Sequence, residues 1–75
     1  PFVRRLASID SLRRVAHADA RFMALVRRAD AARDRHDWAS AEADYAAALT
    51  LHPYERTYWT QLGHAAREQG RTMRA

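Results

Sequence analysis

From Phe2 to His52 the chain contains neither glycine nor proline. Those residues supply the positive φ and the missing N–H with which chains turn sharply and interrupt regular structure. A stretch this long without them has few built-in interruptions to helix. It is also rich in alanine, the strongest helix former. Few strands fit such a composition, so the sequence predicts an all-α fold. With 75 residues the chain forms one domain at most. A domain of this size buries only about 60% of the surface its unfolded chain exposes.

Apolar spacing and cap residues divide the chain. Phe2, Val3 and Leu6 form an apolar edge, of a helix or of an arm. Ser8 and Asp10 both suit an N-cap. Ile9, Leu12, Val15 and Ala16 then keep helical spacing. Phe22, Leu25, Val26, Ala29 and Ala32 make an amphipathic stripe. Asp19 between them is a candidate cap. One helix over 9–35 remains open, but two are the preferred reading. Asp37 caps a helix whose buried stripe is Trp38, Ala41, Tyr45, Ala48 and Leu49. Leu51-His52-Pro53 ends it, because the residue before proline is pushed out of helical geometry. Tyr54 to Gln69 forms the next helix, with Tyr58, Trp59, Leu62, Ala65 and Ala66 apolar. Gly70 is its expected stop.

Residues 34 apart match: Leu25 with Trp59, Ala29 with Gly63, Ala32 with Ala66, His36 with Gly70 and Ala41 with Ala75. Together with Trp38-x2-Ala41-x3-Tyr45-x2-Ala48 and Pro53, this period of paired helices resembles the tetratricopeptide repeat. One repeat is covered well, Phe22 to Glu55, and half of another, Arg56 to Ala75. Departures are His36 where Gly is usual and Ala66 where Tyr is usual. Upstream the match fades. The resemblance implies an antiparallel helix-turn-helix array of about one and a half repeats plus an N-terminal helix. Residues 1–20 form an arm and a capping or degenerate repeat helix, 21–55 a helix pair, and 56–75 a first helix and the start of a second. The segment Tyr58 to Gly70 also resembles repeats found beside catalytic domains in bacterial glycosyltransferases. That similarity is short and implies only a context in a longer parent.

In that family the first helix of each pair lines a concave groove that holds a protein or peptide. The resemblance therefore implies a partner groove of Met23, Val26, Arg27, Asp30 and Arg33 in one repeat, and of Thr57, Thr60, Gln61, His64 and Arg67 in the next. A subgroup clamps C-terminal carboxylates with Lys and Asn. Val26 and Asp30 stand in those places here, so that clamp is not expected. The last helix lacks its packing mate, and self-association through its exposed face, by exchange of helices among other routes, is expected. The chain opens on Pro1 rather than Met, which suggests a piece or processed form of something longer.

Chemistry within the chain is not expected. There is no cysteine, so disulfides and thiolate metal sites are excluded. His17, His36, His52 and His64 lack zinc-ligand spacing. Ser8, Ser11 and Ser40 lie in no nucleophile elbow. Asp37, Glu42 and Asp44 are explained by capping and solvation. No glycine-rich phosphate loop is present, and no metal, cofactor or catalytic residue is assigned.

Charge supplies the rival readings. Thirteen basic residues are all arginine, which with abundant alanine suggests a GC-rich bacterial genome. Residues 1–36 hold nine Arg against four Asp, net +5, and 37–75 hold four Arg against five acids, net −1. Arg14, Arg21, Arg28 and Arg35 recur every seven residues, beside Arg13 and Arg27. On one helix they would form a stripe able to meet phosphates, so a basic nucleic-acid-binding domain is the alternative. Asp10, Asp30 and Asp34 offset part of it. Phe2, Val3, Leu6 and Ile9 among Arg4 and Arg5 offer a weaker membrane-surface reading. No run approaches the ~18 apolar residues of a membrane span. With no signal-peptide pattern either, a cytoplasmic location is expected.

Overall fold

The computed structural model describes residues 12–74. The readings placed on Phe2, Val3, Leu6, Ser8, Ile9 and Asp10 lie outside the described residues, as does the match at Ala75. Helices occupy residues 12–18 (α1), Ala20–Asp34 (α2), Trp38–Leu51 (α3) and Arg56–Arg74 (α4). No strand occurs among the described residues. The all-α expectation holds.

Each boundary has a local cause. Asp19 is extended (φ −79°, ψ 109°), and its carboxylate accepts from the backbone N–H of Arg21 at 3.0 Å and Phe22 at 3.4 Å. That cap separates α1 from α2 without glycine or proline, so 9–35 is not one helix. At the far end of α2, His36 sits at φ 61°. Its N–H donates to the Arg33 carbonyl at 2.9 Å, and the Asp37 N–H donates to Ala32 at 2.8 Å. This is the paired bonding of a left-handed helix stop, built on histidine where glycine is the easier residue. The His36 ring stacks on Trp38, 5.3 Å between centroids at 12°. Asp37 caps α3 by accepting from the Ser40 N–H at 3.3 Å. His52, ahead of Pro53, ends it.

Two boundaries of α4 differ from expectation. It opens at Arg56, two residues after Tyr54, with the Glu55 carbonyl accepting from Tyr58 and Trp59 at 3.2 and 3.4 Å. It also runs through Gly70 to Arg74. A glycine stop needs a left-handed conformation, and neither glycine has a positive φ. A helical glycine costs only about 1 kcal/mol against alanine, too little to end a helix by itself. Arg71–Arg74 therefore extend α4 rather than open a second helix.

α2 and α3 run antiparallel. His52 meets Asp19 at one end (2.9 Å), and Arg28 meets Asp44 along the pair (3.6 Å). α4 returns along α3, with His64 beside Trp38 at one end and Trp59 beside Pro53 at the other. Two buried clusters result. Ala29, Ala32, Ala41, Tyr45 and Ala65 pack under Trp38, Tyr58 and Leu62. Ala16, Phe22, Val26 and Ala48 pack with Met23, Leu25, Leu51 and Tyr58. The small alanines bring the backbones close, so a few rings fill the remaining space. Leu12 and Val15 are exposed, since α1 enters the core through Ala16. Trp59 and Ala66, two of the apolar positions of α4, are exposed too.

Candidate partner groove

Tyr45 is fully buried, and its hydroxyl organises the junction of α2, α3 and α4. The hydroxyl donates to the Asp30 carboxylate. It accepts from Arg33 Nη1 at 3.4 Å, and the same nitrogen donates to Gln61 Oε1 at 3.3 Å. Arg33 also pairs with Asp34 at 3.2 Å and lies 3.5 Å from Asp30. One guanidinium thus ties α2 to α3 and α4. Its fork of donors suits this role, and a lysine ammonium could not span the same acceptors in one plane. Burial pushes the Tyr45 phenol well above its ordinary range, and the Asp30 carboxylate adds to the effect. Tyr58 is raised mainly by burial, with smaller contributions from Asp30 and Glu55.

The ten groove positions do not form one open row. Val26 is 2% exposed and belongs to the core between Phe22 and Ala48, so it cannot line a groove. Helical spacing puts it one turn from Phe22 on the inward face. Met23 is half-buried against the same cluster. Asp30, Arg33 and Gln61 are brought together but hold one another. His64 is half-buried, edge-on to the Trp38 ring at 5.3 Å and 90°. Arg27, Thr57, Thr60 and Arg67 are exposed. The Thr60 hydroxyl donates back to the Arg56 carbonyl at 3.4 Å.

Sequence reasoning missed a second set of contacts, where the α1–α2 joint meets the α3–α4 turn. His52 Nε2 lies 2.9 Å from Asp19 Oδ2. That bond is the main cause holding the Asp19 carboxyl below its usual range; burial opposes it and the capped amides assist it. The Phe22 ring meets His52 edge-on at 5.0 Å. His17 Nε2 stands 3.5 Å from Glu55 Oε2. Glu55 is 6% exposed and its Oε1 has no hydrogen-bond partner. Residues this far apart in the chain carry no periodic signal, so spacing alone cannot find them. No group of three or more His, Cys, Asp or Glu able to hold a metal occurs among the described residues.

The arginine stripe is broken, and three of its arginines have acidic neighbours. The turn at Asp19 separates Arg14 from the rest. Arg21 lies 3.8 Å from Asp19, Arg28 3.6 Å from Asp44, and Arg35 3.3 Å from Asp37. Partnered guanidiniums at a surface attract a phosphate backbone less than free ones. No helix among the described residues is long and apolar enough to cross a membrane. Compared with protein-family models, curated proteins and solved structures, the chain matches none.

Proposed function

We propose that this chain is a tetratricopeptide-like helical module that binds a protein or peptide segment and carries out no catalysis itself. The observation that carries this reading is the Arg33–Gln61 bond. It joins α2 to α4 across α3, and the tetratricopeptide-like reading takes these two as the first helices of successive pairs. Arg27 and Arg67 then stand open on those helices, together with Thr57 and Thr60. A rigid frame under a few open polar side chains favours binding, because little order is lost when a ligand docks. The open cations favour a segment bearing carboxylates.

The test is a peptide array of varied charge, followed by titration of the isotopically labelled chain with the strongest binders. Acidic peptides are expected to move the amide signals of Arg27, Thr57, Thr60 and Arg67. Arg27→Glu and Arg67→Glu are expected to weaken binding at least tenfold with unchanged melting. Absence of any saturable binder, or binding indifferent to both substitutions, overturns the reading.

A further inference from the structure

Two histidine–carboxylate pairs bridge the same two places. His17 of α1 reaches Glu55 in the α3–α4 turn at 3.5 Å, and Asp19 in the α1–α2 joint reaches His52 at 2.9 Å. The two are built differently. His52 and Asp19 lie at hydrogen-bond distance, and a neutral imidazole still has one N–H to donate to that carboxylate. The same carboxylate caps α2, and Arg21 stands 3.8 Å from it. This bridge therefore survives loss of the His52 proton. Glu55 has no such support. It is the buried charged residue among those described, and its Oε1 has no hydrogen-bond partner. Its Oε2 meets His17 Nε2 at a distance longer than a good hydrogen bond. The Tyr58 phenol of α4 feels its charge and brings no positive one. The neighbouring arginines, Arg13 and Arg14 of α1 and Arg56 at the head of α4, are exposed. Among the described residues, the ion-pair partner of Glu55 is His17.

A buried carboxylate left without its counter-charge is strongly destabilising. Imidazole is the side chain whose charge ordinarily changes between about pH 5 and 8, a range in which a carboxylate in water stays ionised. The His17 side chain is 54% exposed, so it exchanges its proton directly with solvent. α1 is short, leaves Leu12 and Val15 exposed, and enters the core through Ala16. Its hold on the other helices is slight, and one electrostatic contact is able to decide it. We infer that α1 is a pH-gated latch on the α3–α4 turn, closed while His17 is charged beside Glu55 and released as His17 loses its proton. With His17 charged, Glu55 stays buried as half of a pair. With His17 neutral, the Glu55 carboxylate gains more from water than from its pocket, and α1 gives way. The closed latch holds the imidazole proton, so rising pH opens it. Asp19 and His52 stay joined and serve as the hinge. Release uncovers Ala16 and the Phe22 end of its buried cluster. The latch does not depend on the groove proposed above.

The chain has no cysteine, so a single introduced thiol reports only its own surroundings. Ala16→Cys places it under the latch, Ala29→Cys in the core between α2 and α3, and Ala24→Cys on the exposed side of α2. Alkylation by iodoacetamide is followed from about pH 5.5 to about pH 8, across the imidazole range. Each rate is divided by that of Ala24→Cys, which cancels the rise in thiolate with pH. The Ala16→Cys ratio is expected to rise about tenfold, and the Ala29→Cys ratio to stay flat. With Glu55→Gln, which has no buried charge, the Ala16→Cys ratio is expected to stay low throughout. With His17→Gln it is expected to be high already at the acid end, and low again when both changes are combined. His52→Gln is expected to keep the rise. Hydrogen exchange of residues 12–18 in the unaltered chain, measured against α3, is expected to follow the same course. Either measurement staying flat overturns the inference. So does a rise shared by Ala29→Cys, which means that the whole fold loosens. A rise that survives His17→Gln and vanishes in His52→Gln places the switch on the Asp19 pair and overturns it as well.

Discussion

Tyr45 shows how much depends on one hydroxyl. It lies at the base of the junction, donating to Asp30 and accepting from Arg33. Tyr45→Phe keeps the ring and removes the polar link, and is expected to cost about 1 kcal/mol, since Asp30 still reaches water. Tyr45→Ala also leaves a cavity and is expected to cost about 3–5 kcal/mol, enough to unfold much of so small a domain. Urea denaturation followed by circular dichroism measures both. The same residue sets an alkaline limit. Its phenol and that of Tyr58 are raised in the folded state, whereas in the unfolded chain they titrate near ~10. As pH rises past that value the unfolded state releases protons that the folded state keeps, so stability falls. Melting temperatures are expected to decline above pH ~10, less steeply in Tyr58→Phe. Asp19 and Asp37 act at the other end. Both carboxyls are lowered, Asp19 chiefly by His52 and Asp37 chiefly by Ser40, so their stabilisation is present above the ordinary aspartate range and disappears as acid protonates them.

At the scale of elements, the residues that make helices were easy to read and those that orient side chains across helices were not. The caps Asp19 and Asp37 and the stop before Pro53 follow from chemistry confined to neighbouring residues. The buried stripe of α3 follows from its period. Gly70 misled because a lone glycine permits a stop without enforcing one. Val26 misled because the family pattern counts positions, while its burial depends on how α2 is rotated against α3. The Asp30–Tyr45 and Arg33–Gln61 contacts span 15 and 28 residues, and no local rule pairs them. The glycines of α4 lead to a prediction at this scale. With open space at both positions, Gly63→Ala and Gly70→Ala are each expected to raise stability by about 0.5–1 kcal/mol through helix propensity alone. Thermal melting of the single and double variants checks this. A loss of stability at either position would mean that the glycine answers a need within the fold.

For the whole molecule, α3 makes most of the contacts between helices, with α2 on one side and α4 on the other. Such a stack of neighbours folds through local pairings, and nothing in that pattern alone guarantees that the pieces melt together. Tyr58 supplies the link. Its ring packs against both buried clusters, 5.6 Å from Phe22 and 6.3 Å from Tyr45 between centroids. Tyr58→Ala is expected to remove that bridge and broaden the thermal transition, with α4 amides exchanging hydrogen well before those of α2 and α3. Unchanged sharpness would place the coupling elsewhere, with Leu62 and Ala65 as the nearest alternatives. With the ring in place, the three helices are expected to unfold together. A ligand that grips α4 alone then also lengthens the lifetime of α2, so occupancy at one end of the stack is felt as resistance to unfolding at the other.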